Sequence, residues 1–165
     1  MNKIICSSLL AVGLLSSGPA SAQTFTPSGD FTWEGQVFVH KPSNVPFPCT
    51  LEVVMGPGGS GAVLKSIKFK PGHAACGLIN TTSGNTYPLP LTWNSTTRTF
   101  TTPYLYVGTP TPGDCAGPIS VTLGANPNPV MNINQVIPYV WAPGDCTVIS
   151  SPALPLISPL PGSVT

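Results

Sequence analysis

The chain has 165 residues, 41% of them hydrophobic, with six Lys or Arg, five Asp or Glu, 21 Pro and 17 Gly. A formal net charge of +1 with no basic cluster excludes recognition of a nucleic-acid backbone. A charged fraction of 7%, against about 25% in ordinary globular chains, excludes a typical cytosolic domain and a charged disordered tail, and the Pro and Gly load excludes a helical bundle.

Residues 1–22 read as a signal peptide. Lys3 supplies a positive start, Ile4 to Leu15 an apolar stretch, and Ala20-Ser21-Ala22 a small-residue cleavage site. The apolar stretch is well short of the ~20 residues that span a bilayer, so cleavage after Ala22 is expected rather than anchoring, and Cys6 is discarded with the signal. Removing 22 of the 165 residues leaves 143, in which Lys41, Lys65, Lys68, Lys70 and Arg98 balance Asp30, Glu34, Glu52, Asp114 and Asp145. No later apolar run is long enough to be a transmembrane segment, so a secreted product is expected, with association at the cell surface as a further option.

Strand signals follow in order. Phe31, Trp33, Gly35, Val37 and Val39 alternate with Thr32, Glu34, Gln36, Phe38 and His40, the period of a half-buried strand. Thr50 to Met55 is a second candidate, closed by Gly56-Pro57-Gly58-Gly59. In Ala62 to Lys70, Ile67 and Phe69 face the core while Lys68 and Lys70 face solvent. Leu89 to Trp93 and Arg98 to Thr102 suit a hairpin through Asn94-Ser95-Thr96-Thr97, with Leu105 to Val107 continuing beyond Pro103. Ile119 to Gly124 and Val130 to Ile137 form a candidate pair, and Thr147 to Ser150 a short last strand. These are about seven to nine short strands with frequent turn signals, which predicts a single antiparallel β-sandwich, Ig-like or Greek-key, over residues 23–150.

Cys49, Cys76, Cys115 and Cys146 form an even set in an exported chain, which reads as two disulfides. Three connectivities are open. The pairing Cys49–Cys76 and Cys115–Cys146 is favoured because it closes loops of similar length in the two halves of the chain. Pro112-Gly113-Asp114-Cys115 is echoed by Pro143-Gly144-Asp145-Cys146, so Cys115 and Cys146 each follow a turn and open a strand. With no C-x₂-C pair, a metal reading fails on spacing.

Residues 151–165 form a Pro-rich apolar tail, in which Pro152, Pro155, Pro159 and Pro161 separate Leu154, Leu156, Ile157 and Leu160. Such a segment is not expected to pair centrally in a sheet and favours extended geometry. It is either a loosely packed terminus or an apolar arm that docks on another molecule, a surface, or the domain's own sheet edge.

No catalytic constellation emerges. His40 and His73 lie far apart, Asp114 and Asp145 belong to turns, and Gly56 to Gly61 lacks the lysine and helix of a phosphate loop. The Asn80-Thr81-Thr82 and Asn94-Ser95-Thr96 triplets fit the glycosylation acceptor pattern, a weak signal that matters only in a host with that machinery. The aromatic resource is Trp33, Trp93, Trp141, Tyr87, Tyr104, Tyr106, Tyr139. Two of the three tryptophans are expected in the core, and Tyr104, Tyr106, Tyr139 and Trp141, beside proline-rich turns, at the surface.

Several short motifs together resemble one family. They are Thr26-Pro27-Ser28-Gly29-Asp30-Phe31, Pro48-Cys49, Ala75-Cys76-Gly77, Leu89-Pro90-Leu91-Thr92-Trp93, Cys115-Ala116-Gly117-Pro118 and Gly144-Asp145-Cys146-Thr147-Val148. This layout resembles the secreted bacterial alkane-oxidation activator PraB family. The resemblance implies an exported, non-enzymatic accessory protein that promotes growth on hydrocarbons by emulsifying them or modifying the cell surface. It implies no cofactor and transfers no catalytic residue. The expected partner is an apolar phase, a cell-surface component or a second copy, met through Tyr104, Tyr106, Tyr139, Trp141, Leu154, Leu156, Ile157 and Leu160. Weakly charged, Thr/Ser/Asn-rich strands lose little solvation on such contact beside what ions would lose. The alternatives are a subunit of a fimbria or biofilm matrix assembled by strand or tail exchange, and a carbohydrate-binding module using Tyr104, Tyr106 and Trp141.

Overall fold

The computed structural model describes residues 29–42, 45–58, 61–111, 113–125, 129–138 and 145–158. The expected signal peptide, Tyr139, Trp141 and Leu160 lie outside these residues. The described residues form an antiparallel, nearly all-β structure.

Four strands run as a meander: β1 (Phe31–His40), β2 (Phe47–Gly58), β3 (Gly61–Lys70) and β4 (Leu89–Pro90). Their alternation places Phe31, Trp33, Val37, Cys49, Leu51, Val53 and Met55 inside, as a pleat with one buried face requires. A register shift at Val54/Met55 opposite β3 changes the phase of the alternation. Leu64 is buried before it and Ile67 after it, so the single phase expected through Ala62 to Lys70 breaks in the middle.

The predicted strand Leu89 to Trp93 is two strands. Leu89 pairs with Leu64 in the first sheet, whereas β5 (Thr92–Asn94) pairs with β6 (Thr99–Val107) in the second. Leu91 is the crossing point, its N–H donating to the Ala62 carbonyl at 3.1 Å. Arg98 turns the β5–β6 hairpin at φ 52° and its guanidinium donates to the Gly124 carbonyl at 2.7 Å, tying the hairpin to the end of β7 (Cys115–Leu123).

The second sheet is completed by β8 (Met131–Asn132), giving the order β5-β6-β7-β8. Only the start of the predicted Val130 to Ile137 strand pairs with β7. The remainder is β9 (Asn134–Ile137), which returns to the first sheet and pairs with β10 (Cys146–Ser150). Ile133, buried between them, accepts from Ser150 N at 2.8 Å. The first sheet therefore runs β4-β3-β2-β1-β10-β9. A later strand lying beside the first of three hairpin-linked strands is Greek-key logic.

Thr147 to Ser150 is not the last strand. β11 (Leu156–Ser158) pairs with β1 at Thr32↔Ser158 and Trp33↔Leu156, beside the half of β1 that β10 leaves open. The Pro-rich segment, where described, thus docks on the domain's own sheet. Leu154 is 0% exposed and exchanges backbone hydrogen bonds with Met131 at 2.8 Å in both directions.

Two disulfides staple the layers. Cys49–Cys76 joins β2 to the single-turn 3₁₀ helix at Cys76–Leu78, and Cys115–Cys146 joins β7 in one sheet to β10 in the other. This is the favoured pairing of the sequence reading. Across the core, the Trp33 indole donates to the Pro129 carbonyl at 2.9 Å, giving the buried ring the polar partner it requires.

Candidate functional surface

Three ion pairs gather in one region. On the outer face of the first sheet, Glu34 stands directly opposite Glu52, and Glu52 opposite Lys68. Two like charges facing each other across a strand pair destabilise it. Lys70 relieves this by reaching both carboxylates, at 2.6 Å and 2.8 Å, and those bonds raise its pKa. Lys65 pairs with Asp30 at 2.6 Å. All six groups lie on or beside β1, β2 and β3.

The neighbouring part of the same face carries no charge. Phe38 of β1 stands directly opposite Ile149 of β10, and Val136 of β9 is the diagonal neighbour of Ile149, opposite Thr147. Their exposures are 37% for Phe38, 40% for Ile149 and 57% for Val136. Pro48 extends the row across β2, opposite Phe38. Alternation should place polar side chains on an outer face, so three adjacent strands each presenting a large apolar residue there depart from the folding pattern. These residues were not among the expected contact set. The available signal was Phe38, the one large apolar member of the otherwise polar register Thr32, Glu34, Gln36, His40.

The outer face of the second sheet is uncharged and hydroxyl-rich. Thr99 faces Thr122 and Asn94 across it, Thr101 faces Ser120 and Thr92, and Thr122 faces Asn132.

The expected contact residues separate. Tyr104 is 48% exposed and Ile157 is also exposed. Leu156 is half-buried against the core. Leu154, expected at the surface, is instead a core residue: the bridge to Met131 carries it between the sheets, so it offers nothing to a partner. Of the tryptophans, Trp33 is buried and Trp93 half-buried, tilted against Phe100 with ring centroids 4.5 Å apart.

Tyr106 is half-buried and engaged. Its hydroxyl donates to Asp114, and its ring lies where a Cβ on Gly84 would be. Asp114 also accepts from Thr109 N at 3.0 Å. Below this turn the Lys41 ammonium, buried, donates to Thr109 Oγ1 at 2.7 Å and to the Gly113 carbonyl. Gly113 has φ 86°, the left-handed geometry that makes glycine the fitting residue of Pro-Gly-Asp. The Tyr106 bond holds Asp114 below the usual carboxylate range and lifts Tyr106 above the usual phenol value. Desolvation lowers the Lys41 pKa against the pull of Asp114. Lys41 after β1 and Tyr106 on β6 thus hold Thr109, Gly113 and Asp114 of the turn between β6 and β7, so the cluster is a clamp.

His73 stacks on Phe47 at 5.0 Å and accepts from Ala75 N at 3.2 Å. Asn80 and Asn94 each accept backbone N–H groups two and three residues on, so both acceptor triplets are turn-formers. Among the described residues no group of three His, Cys, Asp or Glu side chains comes together to hold a metal ion, and no helix is long and apolar enough to cross a membrane.

Residues 1–157 match the family model described as "Alkane oxidation protein activator PraA/PraB-like". No curated protein and no solved structure gives a significant match.

Proposed function

The chain belongs to the alkane oxidation protein activator PraA/PraB-like family, and from that membership we propose that it is an exported, non-enzymatic accessory protein that promotes alkane use by contact with an apolar phase. The contact face is the Phe38, Ile149 and Val136 stripe. Export rests on the signal-like residues 1–22 and on two disulfides, which persist in oxidising compartments. The observation that carries the reading is the placement of the stripe. It sits on an outer face, beside uncharged strands, with the ion pairs gathered at the other side of the same sheet. Such a surface meets oil with little loss of solvation and keeps a hydrated side toward water.

The test is the oil–water interfacial tension and emulsion lifetime produced by purified protein at micromolar concentration. The wild type lowers the tension, and F38S/V136S/I149S, which changes only exposed or half-exposed positions, folds normally and loses most of the effect. No effect of the wild type would sink the surfactant reading.

A second reading is a self-assembling subunit of a fimbria or surface matrix. It is favoured by β11, a terminal strand that completes β1 as a separate segment and in the same way would complete the β1 of a neighbour. Electron microscopy of the secreted protein for fibres decides between them.

A further inference from the structure

Beyond β10 the chain keeps to the same edge of β1. Ser150 lies opposite Val37 and, further along, Leu156 lies opposite Trp33 and Ser158 opposite Thr32. On its other side the segment follows the chain at 131–133, where Ser150 N donates to the Ile133 carbonyl and Leu154 exchanges backbone bonds with Met131. Residues 151–153 thus cover a step that the facing chain covers with Asn132 alone. The excess is thrown out into a bend, with Ser151 and Pro152 exposed. A proline fixes its own φ and pushes the residue before it toward extended backbone. The connection is therefore bent where its sequence favours a straight path, and straightened it reaches about 10 Å.

What this connection holds in place is complete without it. Leu154 is buried over Gly35 and bonded to Met131, the Pro155 carbonyl accepts from Glu34 N at 3.2 Å, and Leu156 pairs with Trp33. None of these contacts involves residues 151–153, so the same segment of a neighbouring copy would make every one of them. In the closed chain Leu154 offers nothing to a partner. Released, it becomes an apolar knob and leaves an apolar slot between Gly35 and Met131. Wetting both is unfavourable, which drives a released knob toward the slot of another copy. Exchange of an identical element costs little, and short connections promote it. Knob and slot are different surfaces, so the joint is head-to-tail and can repeat into an open chain.

We infer that residues 154–158 are the exchangeable element through which copies of this chain join, with Leu154 seated over Gly35 of the next copy. The closed chain is the self-capped, dormant form. This rests on the self-assembly reading and deepens it, naming a second copy as the partner and the 151–153 connection as the switch.

The test mixes two variants of the full mature chain, each missing one half of the joint. In G35V the valine takes the space of Leu154, so the slot is closed, the core stays filled and the segment is free to donate. In L154D the slot is intact, but the knob carries a charge that cannot be buried unpaired. Size-exclusion chromatography with light scattering is read after storage at high protein concentration. The wild type should pass from monomer to dimer and longer species. G35V and L154D should each stay monomeric, and their mixture should give a 1:1 dimer and nothing longer. A mixture that stays monomeric overturns the exchange, as does either variant alone oligomerising like the wild type.

If either variant fails to fold, a chain with three glycines inserted after Ser151 decides, because it keeps both knob and slot. A longer connection closes on itself more readily, so its oligomer yield should fall severalfold, and a yield equal to the wild type overturns the exchange. Electron microscopy separates this inference from the reading beneath it. Fibres from G35V and L154D as abundant as from the wild type would overturn the exchange and leave self-assembly standing. A 1:1 dimer in the mixture without wild-type fibres would support the exchange and sink the fimbrial reading.

Discussion

Leu154 lies directly against Gly35: a Cβ added to the glycine would stand 3.2 Å from the leucine Cγ and 3.3 Å from its Cα. The chain after β10 can cross the middle of β1 there only because β1 has no side chain at that point. Leu154 cannot retreat, since it is held by Met131 on one side and by the Glu34 N–H bond to the Pro155 carbonyl, 3.2 Å, on the other. Gly35→Ala should therefore destabilise by about 1–3 kcal/mol, as overpacking does, despite the entropy gained in the unfolded chain. Leu154→Ala, which opens a core position, should cost about 2–5 kcal/mol. Urea midpoints measure both, and G35A should in addition release residues 151–158 to proteolysis.

The loop clamp predicts a pH dependence with a definite sign. Asp114 has a folded pKa below its unfolded value. Its contribution is complete above the unfolded carboxylate range and is lost as pH falls through the folded value. Tyr106 is shifted upward, so its contribution is present below the ordinary phenol value and lost as pH rises through the folded one. Lys41, lowered by desolvation, works against Tyr106 in alkali, because stability rises as this lysine deprotonates. Asp114→Asn should flatten the loss of stability that sets in as pH falls below the ordinary carboxylate range, read as the urea midpoint against pH.

Lys70 is expected to matter through what it separates. Replacing it by Met leaves Glu34 and Glu52 facing each other without the ammonium that bridges them, Lys68 remaining opposite Glu52 alone. The variant should be less stable than the wild type at low ionic strength, and the difference should shrink in about 1 M salt, where charges beyond ~3 Å are screened. A gap unchanged by salt would mean that packing of the lysine stem, not charge, sets the cost.

The two disulfides span similar separations, 27 and 31 residues, so the chain-entropy model assigns each about 3.5 kcal/mol. C49A/C76A and C115A/C146A should lose comparable stability in denaturant. Their local effects should differ. Hydrogen exchange should rise around β2 and Cys76–Leu78 in the first variant, and in both β7 and β10 in the second.

The fold class and much of the strand inventory are legible in the sequence because period-2 alternation is local: β1 reads correctly from Phe31 to His40. The disulfide pairing was reachable from loop lengths. What alternation cannot report is which sheet a strand joins. Leu91 and Ile133 each sit where the chain changes sheets; Pro90 before the first and Asn132 and Asn134 around the second mark an interruption, but not which sheet the next residues join. Docking of the tail on its own sheet was only one of several options open in the sequence, for a related reason. Proline forbids regular pairing, yet β11 needs only two register positions on β1, and the proline-flanked Leu154 needs only a gap opposite Gly35. The apolar stripe was hidden because Phe38 and Ile149 are 111 residues apart in sequence and become neighbours of each other and of Val136 only when β10 inserts between β1 and β9.

The bond between Cys115 and Cys146 couples one leaf of the sandwich to the other. Proteins held at fluid boundaries tend to open like a book, spreading their interiors into a film that cannot be rinsed away. A chain bolted through its middle meets such a boundary as a small solid grain, whose footprint is set by its folded outline rather than by its contour length. Its coverage would then be a matter of packing grains side by side, and each could leave as intact as it arrived.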